Sequence, residues 1–275
     1  MNHCKTIALV NQKGGVGKTT STVNLGVGLA QAGNRVLLVD DDPQHSLTIS
    51  LGIRNADDDL DTTLATAMQA EIRDESVPWE EGIIHSDEGV DLLPANIELS
   101  GVEMSLFNAM SREQVLKSVL SRVKENYDYI LIDCMPSLGL MSINALVAAD
   151  SVIIPSAPDF LSTKGLNLLI RTISKVRRQI NPKLKIDGIL MTMVDGRTNN
   201  AKNIIAALRT TLDGNIRVFD TEIPRSVRAA EASGEGKSIF AFDPKGRVAQ
   251  AYANLTKEVA ELGKETNRSR SDGAR

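Results

Sequence analysis

Aromatic residues are scarce in this chain: one Trp, three Tyr and five Phe among 275 residues. A core built without them has to be filled by Leu, Ile, Val and Ala, the composition of parallel strands covered on both faces. Cysteine is scarcer still. Cys4 and Cys134 alone allow neither a disulfide framework nor a paired-thiolate metal or iron–sulfur site, and the expected location is the cytoplasm. No apolar run reaches the roughly 18 residues that a membrane span needs, and from the polar opening Met1–Lys5 no signal peptide is expected. Nor is positive charge in excess. Lys and Arg number 31 against 35 Asp and Glu, a net charge of −4. That excludes a uniformly basic nucleic-acid coat but not a local basic patch.

The charge is unevenly spread. Between Asn55 and Asp91 acids crowd around one base, Arg73, whereas between Arg197 and Arg247 the balance reverses. Hydrophobic residues make up 42%, enough for a sizeable core. Short apolar runs predict strands at Thr6–Val10, Val36–Val39, Val90–Leu93, Tyr129–Ile132, Ser151–Ile154, Ile186–Met193 and Ile216–Phe219. Helices are predicted at Lys18–Ala32, Ser111–Asn126, Leu161–Ile180, Asn199–Leu212 and Val248–Leu262. Ser111 and Gln114 have capping-box spacing. Pro155 is read as a strand stop, and the acidic stretch as loop with short helices. The alternation predicts an α/β fold: one doubly wound, mostly parallel sheet with helices on both faces. A single domain is expected over residues 1–263, with a polar, disordered tail over 264–275.

The run Gln12-Lys13-Gly14-Gly15-Val16-Gly17-Lys18-Thr19 follows the first strand and opens the first helix. It departs from the general phosphate-loop pattern G-x-x-x-x-G-K-[ST] at its first glycine, where Gln12 stands. The chemistry survives that departure. Three glycines let backbone N–H groups converge on phosphate oxygens, and the helix adds its positive dipole end. Lys18 is placed to reach the β- and γ-phosphates of ATP. Thr19, followed by Thr20, offers a hydroxyl to Mg²⁺, which prefers hard oxygen ligands.

Acids stand at the ends of two apolar strands. Asp40-Asp41-Asp42-Pro43-Gln44 follows VLLV, and Asp133 follows YILI. Ligands of an open α/β sheet bind at that end. An Asp closing a strand and paired with a phosphate loop is the Walker B arrangement, whose carboxylate holds a Mg²⁺-bound water.

Together these motifs resemble the ParA/MinD family of P-loop ATPases with the deviant Walker A sequence K-G-G-x-G-K-[ST], most closely its Soj-like ParA members. The resemblance runs from Lys5 to about Leu262 and includes Leu190–Asn199 and Ile223–Ala232. It implies that Lys13 reaches across an ATP-sandwich homodimer to the partner's nucleotide. It implies that Asp42 positions the attacking water and that Asp40 joins Thr19 and Asp133 around Mg²⁺. Asp41 fills a variable place and is expected to be solvated. After Gln44 the chain reads His45-Ser46-Leu47, where relatives often carry Gly-Asn-Ala, and Met135 replaces a proline that is usual after Asp133.

By the same resemblance Arg197 and Arg228 form a surface for duplex DNA of any sequence, and hydrolysis is stimulated by a ParB-like centromere-binding partner on the nucleoid. Arg225, three residues before Arg228, shares its face if the segment is helical. Arginine suits phosphate, because its planar fork donates two parallel bonds. Without the resemblance, these arginines read as a solvated face paired with acids such as Glu222 and Glu231. Met193 and Pro224 are the candidates for an adenine pocket. The chain opens at the first strand, so no operator-binding extension or autoregulatory role is expected. A MinD-like membrane ATPase is the alternative. It would need a basic amphipathic terminal helix with bulky apolar residues, which Asn267–Arg275 lacks.

Overall fold

The computed structural model describes residues 4–212 and 216–272, without the side chains of 160–164 and 264–272. In chain order the elements are β1 (Lys5–Leu9), α1 (Lys18–Gln31), β2 (Val36–Asp41), α2 (Ser46–Ser50), α3 (Ala56–Asp59), α4 (Leu64–Arg73), β3 (Ile84–His85) and β4 (Asp91–Leu93). Then follow α5 (Leu99–Leu106), α6 (Val115–Ser121), β5 (Tyr129–Cys134), α7 (Leu140–Ala148), β6 (Ser151–Ser156), α8 (Phe160–Gln179), β7 (Lys185–Val194) and α9 (Asn199–Leu212). The chain closes with β8 (Val218–Pro224), α10 (Val227–Gly234), α11 (Ile239–Phe242) and α12 (Arg247–Asp272).

The eight strands form one sheet in the order β3-β4-β2-β5-β1-β6-β7-β8. Every pairing is parallel except β3 with β4. Side chains alternate between two cores. Leu37, Val39, Ile130 and Ile132 face a layer that includes α4 to α9. Ile7, Leu9, Leu38 and Leu131 face the layer of α1, α11 and α12. β1 lies between β5 and β6, with α1 leaving on one face and α7 on the other. That is the topological switch point at which open sheets bind ligands.

Two glycines inside α1 cost helix propensity, roughly 1 kcal/mol each, and close packing is the reason they are there. A Cβ on Gly28 would collide with Thr256 of α12, and one on Gly26 would come within 2.5 Å of a Leu38 methyl. Ser21 Oγ and Tyr252 OH, 3.1 Å apart, extend the α1–α12 contact.

Several expectations need correction. Ser111 caps nothing. It sits in a left-handed turn (φ 50), its carbonyl accepts from Gln114 N–H at 2.7 Å, and α6 starts only at Val115. Among the described residues a capping box is formed by Thr63 with Thr66, at the start of α4. Pro155 lies inside β6. It stands beyond the last residue paired with β1, where no ladder donor is needed on that side. β8 begins at Val218 and runs on to Pro224, a proline that an edge strand tolerates. α5 and α7 were not foreseen. α12 continues past Leu262, with helical backbone as far as Asp272; the rest of the expected tail lies outside the described residues.

Candidate functional site

The loop after β1 is anchored before it turns. Val10 N–H donates to Ile153 O at 3.2 Å. Asn11 donates from Nδ2 to Pro155 O at 2.7 Å and accepts Lys13 N–H at Oδ1 at 3.0 Å. Gly15 (φ 69) and Gly17 (φ 78) take left-handed conformations, which glycine adopts without a steric penalty. Thr192 Oγ1 donates to Val16 O at 2.8 Å, tying the loop to β7. Gly14 and Gly15 are exposed, with nothing within 4 Å of where a Cβ would stand. The loop is therefore a shaped, open cradle at the start of α1.

Lys18 is buried at 7% exposure, and its Nζ lies 3.4 Å from Lys13 O. Burial lowers its pKa, opposed by the pull of Asp133. Thr19 Oγ1 donates to Asp133 Oδ2 at 2.6 Å, and Thr22 Oγ1 to Asp133 Oδ1 at 3.3 Å. Thr20 is half-buried in the first turn of α1. Lys13 Nζ pairs with Asp159 Oδ2 of the same chain at 2.7 Å, an ion pair that is itself partly exposed.

Asp40 and Asp133 stand side by side in register on β2 and β5, both facing α1. Asp40 Oδ2 accepts from Thr48 N–H at 2.8 Å and Thr48 Oγ1 at 2.7 Å. Asp40 Oδ1 is buried without a partner. Burial, then the neighbouring Asp133, pushes the Asp40 carboxyl up to about 8. Burial pushes Asp133 up to about 6, against the hydrogen bond from Thr19 and the charge of Lys18. Two adjacent buried carboxyls, one with an orphan oxygen, fit a divalent cation beside the Thr19 hydroxyl. Among the described residues no three His, Cys, Asp or Glu side chains converge as a metal cage. The fit is to Mg²⁺, which keeps several waters. Asp42 is half-buried just past β2, and its Oδ1 accepts Gln44 N–H at 2.9 Å. His45 takes a left-handed φ of 42, a region that favours glycine.

Asp41 is not solvated. It belongs to β2, its side chain shares the face of Val39 toward α5 and α7, and it pairs in register with Cys134. It is fully buried, and neither carboxylate oxygen has a partner. Burial and then Asp40 raise its pKa well above the ordinary carboxylate value. An unpaired buried polar group costs about 1–3 kcal/mol, so Asp41→Val should stabilise the protein by that order at neutral pH. Because the folded pKa lies above the unfolded one, the stability that Asp41 contributes is present below about pH 4 and lost as pH rises. The gain from the substitution should therefore shrink toward pH 4. Urea melts at both pH values read it, and an equal or lower midpoint for Asp41→Val at pH 7 would show that the site is satisfied.

Met193, the penultimate residue of β7, takes a left-handed conformation (φ 52) and is partly exposed at 38%. Pro224 ends β8 opposite Val194, so both stand at the strands' carboxyl edge. Arg197 lies in the β7–α9 turn with its side chain 90% exposed. Asp195 clamps it through two bonds of 2.9 and 2.8 Å, which holds the Asp195 carboxyl well below its usual range, with Arg225 adding to the effect. Arg225 precedes α10, whose N-cap is Ser226, so the shared helical face expected with Arg228 does not exist. Instead Arg225 N–H donates to Val194 O, setting it near Arg197. Arg228 lies over the Phe242 ring at 5.0 Å and pairs with Glu231 at 3.3 Å.

Sequence reasoning missed Asn11, Thr22, Thr48 and Thr192. They brace the site through side-chain hydrogen bonds, and no motif marks them.

A family model described as an AAA domain matches residues 4–186. The chain is 46% identical to the sporulation initiation inhibitor protein Soj of Bacillus subtilis, covering 94% of this chain and 99% of Soj. It is 39% identical to the chromosome partitioning protein ParA of Caulobacter vibrioides, covering 94% of each. Among solved structures it is similar to cobyrinic acid a,c-diamide synthase from Mycobacterium smegmatis with bound ADP and magnesium. That match has a TM-score of 0.81 and 34% identity, covering 95% of this chain and 96% of the other.

Proposed function

The chain belongs to the Soj/ParA family of chromosome partitioning proteins, and from that premise we propose an ATP-driven switch that carries a DNA cargo. Its substrate is ATP and its metal Mg²⁺. The observation that carries the reading is the convergence of the glycine cradle, Lys18, Asp40, Asp42 and Asp133 at one edge of the sheet. The chain is nearer in sequence to Soj than to the diamide synthase, at 46% against 34% identity, which favours partitioning over a synthase reaction.

In this reading Gly14, Gly15, Val16 and Gly17 direct N–H groups at the phosphates, with Thr20 in the first helical turn behind them. Lys18 neutralises the β- and γ-oxygens, while Met193 and Pro224 flank the base. Thr19, Asp40 and Asp133 hold Mg²⁺, which when bound offsets charge on the phosphate oxygens. Asp42 orients a water and takes its proton as the water oxygen bonds to the γ-phosphorus and the bond to ADP breaks. Lys13 exchanges Asp159 for the nucleotide of a second subunit, so that ATP joins two chains face to face. Each dimer then presents two copies of Arg197, Arg225 and Arg228 to duplex DNA. A ParB-like centromere-binding partner speeds hydrolysis and releases the DNA. One ATPase domain spans 1–263, and the protein works in the cytoplasm on the nucleoid. No helix among the described residues is long and apolar enough to cross a membrane.

Light scattering and fluorescence anisotropy together test the switch. With ATP the protein should dimerise and bind two unrelated duplexes equally, because phosphate contacts carry no base information. Affinity should fall steeply with salt, as each phosphate contact releases counterions. Lys13→Ala should stay monomeric and lose both properties. Arg197→Ala should dimerise normally, bind both duplexes more weakly and show a flatter salt slope. Its Asp195 clamp is an exposed ion pair, weakened by solvent screening, so DNA phosphate can displace it. Strong preference for one duplex, or an ATP dimer formed by Lys13→Ala, overturns the reading.

A further inference from the structure

Large apolar side chains stand in solvent along one short stretch: Ile97 at 53% exposure, Met104 at 71%, Phe107 at 59% and Met110 at 94%. The stretch is α5 with its two flanking turns. Bonds from Ser100 N–H to Ile97 O and from Phe107 N–H to Met104 O keep both flanks helical. The inner face of α5 is satisfied, with Leu99, Val102 and Leu106 in the core. Ile97, Gly101, Met104 and Phe107 follow one another at helical spacing, so they form a single outward stripe. Gly101 leaves a gap in the middle of it, with no atom within 4 Å of where its Cβ would stand.

The rim of this stripe is acidic. Asp57, Asp58 and Asp59 of α3 are exposed, and Asp57 Oδ1 accepts Ile97 N–H at 2.8 Å, which fixes α3 against the start of the stripe. Glu98 is exposed beside it. Arg54, just before α3, is turned away to Gly234 O. Arg112, at the far end, is engaged by Phe107 O and Glu113.

We propose that this stripe is a docking surface for a basic amphipathic helix of a partner protein. A row of side chains at i, i+3 and i+4 spacing is the ridge against which a second helix packs. Methionine adapts to varied anchors, and an acidic rim selects basic flanks. A contiguous exposed apolar patch with a polar rim is the ordinary mark of a protein-binding site. A second copy of this chain fits less well, because a two-fold contact through the stripe would set acidic rim against acidic rim. The inference is independent of the nucleotide and DNA readings.

The test uses the full chain and two labelled synthetic helices with the same apolar face, one leucine/lysine and one leucine/glutamate, followed by anisotropy. The leucine/lysine helix should bind at least about tenfold tighter than the other. Met104→Ser with Phe107→Ser, both at exposed positions, should weaken that binding about tenfold or more without changing the circular dichroism. Gly101→Gln, which fills the gap and favours helix, should do the same. Asp58→Asn with Glu98→Gln should flatten the salt dependence. Equal binding of both helices, or unchanged binding by the serine variant, overturns the proposal. So does self-association of the wild type that the serine variant lacks, which would make the occupant a second copy.

Discussion

Lys18→Ala should lower nucleotide affinity by about a hundredfold or more. The Nζ of Lys18 is buried beside the cradle, held near Lys13 O and drawn toward Asp133. Hydrogen bonds to charged groups contribute about 1.5–3 kcal/mol each, and a lysine between two phosphates makes at least two. Their loss converts to about a hundredfold or more at 1.4 kcal/mol per decade. The fold should survive, since the backbone of the loop is held by Asn11 and Thr192 rather than by Lys18. Removing the cation should also push the Asp133 carboxyl higher, because Lys18 is one of the influences holding it down. Calorimetry with ATP and Mg²⁺ reads the affinity, and an unchanged value would remove Lys18 from the phosphate site.

The cradle was legible because its residues are contiguous and their chemistry is local. Gly-Val-Gly-Lys-Thr needs no tertiary knowledge to be read as a strand-to-helix phosphate loop. The pairing of Asp40 with Asp133 was legible only through the order of motifs, since parallel register is a long-range property. Asp41 was misplaced because the strand was ended at Val39. Two more residues of alternation, Leu37, Val39, Asp41, would have turned it inward. A polar triplet reads as loop unless something buries it, and here the sheet does. Apolarity in α7 (LMSINALVA) runs nearly all round the helix, so no 3.6-residue period marks it, and α5 is too short for one. Arg225 and Arg228 have helical spacing, but Ser226 caps α10 between them, and tertiary contact with Val194 decides where Arg225 goes. The cis pairing of Lys13 with Asp159 joins residues far apart in the chain and leaves no trace in either local sequence.

Asp42→Ala should reduce ATP turnover by about a hundredfold or more, the scale of a positioned acid–base group, while nucleotide still binds. Asp42 sits one residue beyond β2, at the edge where the cradle opens, and its charge is felt at Lys18, Asp40 and Asp133. Gln44 N–H holds one of its oxygens, which fixes the carboxylate rather than leaving it to swing. In the proposed reading this fixed carboxylate, outside the buried pair suited to Mg²⁺, orients water and receives its proton. Taking it away also relieves repulsion on Asp40 and Asp133, so binding of ATP with Mg²⁺ should not suffer. Asp42→Asn separates the two roles: it can keep the Gln44 contact and the loop shape but cannot take a proton, so it should be as slow as the alanine variant. Both variants should accumulate as ATP-bound, DNA-bound dimers. Single-turnover phosphate release measures the chemistry, with calorimetry for binding alongside. Turnover of Asp42→Asn near the wild-type rate would leave Asp42 a structural role only, and the water would need another partner.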